Sequence, residues 1–183
     1  MELIWYLDRA TALVAYPALY LAVLSGIFYN TDRFGSLHRA ARRIHIEVSV
    51  LAMLVTLAHG VLGVLDTYLI VSGQAPQPSY SLGYFFAGAA VGLGALLVLV
   101  VAVLGFLSPQ RFDRPWGPTV VHAFAYGGFA FATIHAVAVG SDIVSLVSPL
   151  GAAFLAFLGY VLLLRLFAQV RPGLFPDPSG DQV

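Results

Sequence analysis

Five long apolar runs divide this chain, and short polar segments separate them. A helix needs about 20 consecutive apolar residues to cross the hydrocarbon core of a bilayer. The first run extends from about Ala10 to Tyr29, carries no charge and contains Pro17. The second extends from about Ile44 to Val71 and includes Glu47 and Asp66. The third, about Leu82 to Leu107, is again uncharged. The fourth, about Pro118 to Gly140, opens on a proline, which suits the first turn of a helix. The fifth covers about Ile143 to Leu164. The runs are continuous, whereas the strands of a membrane barrel alternate over short segments. The pattern predicts an all-α polytopic membrane bundle of five transmembrane helices. It fills one domain over residues 1–170, with a short polar tail over 171–183.

The segments between the runs differ in charge. Thr31 to Arg43 holds Arg33, Arg39, Arg42 and Arg43, and Ser108 to Gly117 holds Arg111 and Arg114. Arg165 and Arg171 follow the fifth run. The segment Ser72 to Ser81 has no charge, and the turn after the fourth run has only Asp142. Basic loops stay on the cytoplasmic side. The alternation therefore predicts an N-terminus outside and a C-terminus in the cytoplasm. Trp5, Tyr6, Tyr29, Tyr68, Tyr80, Tyr84, Phe112 and Trp116 fall near the ends of the runs, where an aromatic belt is expected. Gly88 and Gly92 form a GxxxG spacing, read as a close helix–helix contact. Met1 to Trp5 lacks the basic start and small-residue cleavage site of a signal peptide, and is expected to be mature sequence.

Composition agrees with lipid as the solvent. Hydrophobic residues make up 60% of the 183 positions and charged ones 10%, against about 25% in soluble domains. The net charge is zero and every basic residue is arginine, so no basic patch points to nucleic acid. There is no cysteine. That excludes Cys-ligated zinc, iron–sulfur clusters and covalently attached haem in this sequence.

The chemistry lies in the histidines. His38 sits in the first basic segment, whereas His45 and His59 lie in the second run and His122 and His135 in the fourth. Ionisable residues inside a membrane span are costly and by default suggest function. His45 and His59 are 14 residues apart, and His122 and His135 are 13 apart. At a helical rise these separations are roughly 21 and 20 Å. The second and fourth helices run in the same direction, so His45 shares a depth with His122 and His59 with His135. Haem iron takes two axial ligands on opposite faces, whereas zinc gathers three or four at one place. Two ligands at each of two depths thus favour two stacked bis-histidine haem b groups. One mismatch stands out: 13 residues leave a helix about 140° from its starting face. Gly127-Gly128, midway between His122 and His135, is where a distortion of the fourth helix is expected.

At these residues the chain resembles the ferric reductase-like transmembrane family. That family includes ferric reductases, NADPH oxidases and the haem-bearing membrane subunit of the bacterial methionine sulfoxide reductase system. The matching segments are Arg42-Arg43-Ile44-His45, Ala58-His59-Gly60, Val121-His122-Ala123 and Ile134-His135-Ala136. The resemblance implies two b haems held by these four histidines between two helices. The family usually has six helices, and this chain lacks a match to the first. No flavin or nicotinamide domain is expected after Arg171, so the expected electron source is a partner protein or quinol.

Around the histidines, Arg39, Arg42 and Arg43 are placed to pair with haem propionates or to serve only as the positive-inside signal. Glu47 is expected to pair with Arg43, and Asp66 to be solvated. The reading is an electron-transfer subunit of an oxidoreductase in a hetero-oligomeric complex, in the plasma membrane of a prokaryote. Its partners would be lipid and a redox protein or quinone. Two alternatives stand beside it. One is a quinone-reactive cytochrome b subunit of a respiratory oxidoreductase. The other is a non-redox membrane anchor or transporter subunit whose histidines only tie helices together.

Overall fold

A computed structural model describes residues 2–29, 36–76, 81–107, 117–140, 152, 156–160 and 163. Four helices account for nearly all of them: α1 (Glu2–Tyr29), α2 (Ser36–Val71), α3 (Leu82–Leu107) and α4 (Gly117–Val139). No strand occurs among the described residues. Each of the four helices contains a stretch long and apolar enough to cross a membrane. Most of the fifth expected span, Ile143 to Leu164, lies outside the described residues, as do Arg111, Arg114, Arg165, Arg171 and Asp142. The described positions within that span, residues 152, 156–160 and 163, are helical.

Two helices start earlier than the apolar runs predict. α1 begins at Glu2, so Asp8 and Arg9 belong to it. Each charge is accommodated locally. The Asp8 carboxylate turns inward against α2, and the Arg9 guanidinium lies 4.3 Å from the centre of the Trp5 ring. α2 begins at Ser36, so His38, Arg39, Arg42 and Arg43 sit on its first turns and not in a loop. The segment from Ser36 to Ile44 contains no glycine or proline, and arginine and alanine are strong helix formers. Arg43 and Glu47 pair at 2.8 Å one turn apart, in an exposed position. At its other end α2 stops at Gly73, the described glycine with a positive φ, 71°. The Gln74 N–H donates to the Leu69 carbonyl and the Gly73 N–H to that of Ile70, which closes the helix end.

α1 lies along α2 and α3 along α4, so the chain forms two helical hairpins. The hairpins meet through α1–α4 and α2–α3 contacts, while the backbones of α2 and α4 scarcely approach each other. Small residues make the first hairpin tight: Ala15, Ala18, Ala22, Ala41 and Ala52 are all buried. The core gathers Leu19, Tyr20, Ile27, Ala52, Leu99 and Phe129. Ala52 is midway along α2 between its two histidines, and Phe129 lies between those of α4. Tyr16 of α1 stacks on Phe129, with ring centroids 5.9 Å apart, and its hydroxyl donates to Thr133 Oγ1 at 3.3 Å. The packed centre therefore separates two histidine-bearing levels. Leu54, Val61, Leu97 and Leu104 are among the large apolar side chains left outward, where lipid would cover them.

Candidate functional site

The four intramembrane histidines come together in two pairs, each linking α2 to α4. The ring centroids of His45 and His122 are 6.5 Å apart, with planes inclined by 18°. Those of His59 and His135 are 6.1 Å apart, with planes inclined by 54°. The rings thus span the gap that the backbones of α2 and α4 leave open.

Three of these rings are anchored through Nδ1. His45 Nδ1 lies 2.8 Å from the carbonyl oxygen of Ala22. His135 Nδ1 lies 2.8 Å from that of Gly88. His59 Nδ1 lies 3.3 Å from the carbonyl oxygen of Asp8 and 2.9 Å from its carboxylate oxygen Oδ1. A carbonyl oxygen only accepts, so Nδ1 carries the proton in each case. In a neutral imidazole Nε2 is then left as a lone-pair donor, the tautomer that metal-ligating histidines adopt.

Glycines make the anchoring possible. A carbonyl inside a helix already accepts from the N–H one turn on, and the side chain at that later position normally shields it. Opposite His45 that position is Gly26, four residues after Ala22; opposite His135 it is Gly92, four after Gly88. A Cβ on Gly26 would stand 2.9 Å from the His45 ring, and one on Gly92 2.7 Å from the His135 ring. These distances are too short for any side chain, so each ring occupies the room a methyl group would take. α1 and α3 are therefore the seats for rings carried by α2 and α4.

The structure resolves the spacing on α4 without a break. α4 is one uninterrupted α-helix through Gly127 and Gly128. Gly128 receives Leu99 of α3, and Gly127 faces Val98. The two glycines thus serve the α3–α4 contact and not the expected distortion. The two α4 histidines leave the helix in different surroundings: His135 is half-buried and tied to α3, and His122 is exposed. Side-chain reach from different flanks brings both to α2.

The other expected residues are distributed as follows. Arg42 and Arg43 lie exposed on the first turns of α2, before His45. Arg39 lies on the same turns, and its side chain, like that of His38, is outside the described residues. Asp66 is half-buried, not fully solvated. The sequence reading missed Asp8, Ala22, Gly26, Gly88 and Gly92 as neighbours of the rings. A signal existed for Asp8, because a carboxylate next to an apolar run is costly to bury alone.

The geometry can be compared with what a metal requires. An imidazole nitrogen binds a metal at about 2 Å and the ring centre lies about 1 Å further back, so two imidazoles across one metal have centroids about 6 Å apart. Both pairs have that separation. Among the described residues no group of three or more His, Cys, Asp or Glu side chains could hold a metal ion, so each pair offers two ligands. Two buried polar atoms, Asp8 Oδ1 and Thr56 Oγ1, lack a well-aligned hydrogen-bond partner among the described residues, and Thr56 is one turn before His59.

A family model described as a domain of unknown function, DUF8596, matches residues 3–142, a stretch that contains α1 from its second residue, α2 to α4 and the four histidines of the two pairs. No curated protein and no solved structure matches the chain.

Proposed function

The chain belongs to the DUF8596 family, a domain of unknown function, and we propose that it is a membrane-embedded di-haem b-type cytochrome that carries electrons across the bilayer. His45 and His122 would hold one haem, and His59 and His135 the other. The observation that carries this reading is the facing of two imidazole pairs, 6.5 and 6.1 Å between centroids, with three of the rings anchored through Nδ1. When bound, each haem supplies a reversible one-electron iron couple.

The chain's own residues do the rest. The histidines would supply two imidazole ligands to each haem, which suits electron transfer. Ala22, Asp8 and Gly88 fix the rings, so little rearrangement accompanies a change of charge. The Tyr16–Phe129 layer lies between the two levels. Along α2 the levels are separated by roughly 21 Å, and together they cover most of a hydrocarbon core about 30 Å thick. Arg39, Arg42 and Arg43 at the start of α2 are suited to pair with propionates at the His45 level.

The alternation of arginines in the sequence supports an N-terminus outside and a C-terminus in the cytoplasm of a prokaryotic plasma membrane. The electron donor and acceptor would be a soluble partner protein or a quinone, with the chain acting as a subunit of a larger redox complex. Membranes from cells overproducing the chain test this. Their reduced-minus-oxidised spectrum should show b-type bands that scale with the protein and are lost in a variant with all four histidines replaced. Bands absent from the wild-type membranes contradict the reading. Reduction of those bands by a quinol, set against reduction by a copurifying soluble protein, separates the two kinds of donor.

A further inference from the structure

The two histidine levels are not chemically alike. At the His45 level the His45 ring has a neutral partner, the backbone carbonyl of Ala22. At the His59 level His135 likewise rests on a carbonyl, but His59 has a carboxylate, Asp8 Oδ1, 2.9 Å from its Nδ1. The Asp8 side chain is 19% exposed, so water screens it little. Gly63, one turn beyond His59, presents bare backbone to it: a Cβ there would lie 3.5 Å from Oδ1. The Asp8–His59 contact is a charge proximity: the His59 N–H is aligned on the Asp8 carbonyl, and Oδ1 has no well-aligned donor among the described residues. Asp66 lies seven residues after His59 and so on the same face of α2, adding a second acidic group to this half. The described charges near His45 are Arg42, Arg43 and Glu47, the last two paired, and Arg9 beside Asp8 lies over the Trp5 ring.

Resting on the di-haem reading, we propose that Asp8 is a positioning residue for His59 and makes the His59–His135 level the lower-potential of the two. A carboxylate behind a ligating imidazole fixes its ring and raises its basicity. A more basic ligand and a nearby negative charge both stabilise ferric over ferrous iron. At the His45 level the Arg43 charge is balanced by Glu47, and the His45 ring rests on a neutral carbonyl. An electron on the His59 level then moves downhill to the His45 level, which gives the pair a built-in direction.

A redox titration of the purified haem-loaded protein, followed in the visible bands, tests this. The wild type should titrate as two unequal components. Asp8→Asn should shift the ratio of oxidised to reduced haem at the low-potential component by about tenfold at fixed ambient potential, equivalent to about 59 mV for one electron. Asp8→Glu should keep the low potential. In a His122→Ala background, which retains only the His59 level, the single component should carry the shift. In a His135→Ala background it should not. Loss of one haem in Asp8→Asn that Asp8→Glu restores also supports the positioning role. Equal midpoints in the wild type, an unmoved component in the His122→Ala background, or haem loss common to both Asp8 variants overturns the proposal. A wild-type chain that binds no haem overturns the di-haem reading instead.

Discussion

His135 reaches from α4 to α3 and donates through Nδ1 to the carbonyl oxygen of Gly88 at 2.8 Å. His45 makes the same connection to Ala22, also at 2.8 Å. In both cases a glycine four residues later leaves the carbonyl open to the ring. The repetition on two separate hairpins is the structural signature of this chain.

The glycine seats yield a sharp expectation. Glycine to alanine inside a helix ordinarily gains about 1 kcal/mol. At Gly26 and Gly92 the added Cβ would meet the ring at 2.9 and 2.7 Å. Gly26→Ala should therefore lower haem content at the His45 level, and Gly92→Ala at the His59 level, from two haems per chain toward one. Gly94→Ala, where no atom lies within 4 Å of the new Cβ, should leave the content unchanged. Haem-to-protein ratios of the three variants check this; equal behaviour of Gly92→Ala and Gly94→Ala contradicts it.

Pairing across α2 and α4 makes the histidines interdependent in a fixed way. His45→Ala and His122→Ala should each remove the same spectral component, and the double variant should lose nothing more. His59→Ala and His135→Ala should do so for the other component. Such non-additivity is expected of residues that share one ligand. Four independent losses, or a His45–His59 dependence, would show that the pairs are drawn wrongly.

The two levels should also differ in magnetic resonance. The planes of His45 and His122 are inclined by 18°, and those of His59 and His135 by 54°. Aligned imidazole planes split the iron d orbitals that interact with them, and crossed planes leave those orbitals closer in energy. Electron paramagnetic resonance of the oxidised protein should show two low-spin signals, with the larger anisotropy from the His59 level. The His122→Ala variant should retain that more anisotropic signal; retention of the less anisotropic one contradicts the assignment.

Tyr16 holds the middle layer. Its ring stacks on Phe129 at 5.9 Å between centroids, and its hydroxyl reaches Thr133 at 3.3 Å. Tyr16→Phe should cost about 1 kcal/mol, the net worth of one hydrogen bond. Tyr16→Ala should cost about 3 kcal/mol because it also opens a cavity. Unfolding midpoints in detergent would rank the two, and an equal loss for both would assign the stability to the hydroxyl alone.

The apolar runs and histidine spacings expose a large part of this design in the sequence. Continuous hydrophobicity marks the four described spans, and a helical rise places His45 beside His122 and His59 beside His135. The limits of α1 and α2 are less visible. Asp8, Arg9 and the arginines before His45 end the apolar pattern without ending the helix: Asp8 turns against α2, Arg9 lies over Trp5 and Arg43 pairs with Glu47. The seats are hidden for another reason. That Gly26 faces His45, or that Gly92 faces His135, depends on how α1 meets α2 and α3 meets α4, and no spacing within one helix records it. Gly88 and Gly92 do form a close helix contact, with Val139 packed on Gly88, but the same spacing also seats a ring. The 13-residue interval on α4 suggests a distorted helix only if both side chains leave from one face.

Haem stoichiometry of the purified chain tests the central claim most directly. Conversion of the bound haem to its pyridine complex, set against protein concentration by amino-acid analysis, should give about two non-covalent b haems per fully loaded chain. One haem or none per fully loaded chain contradicts the account.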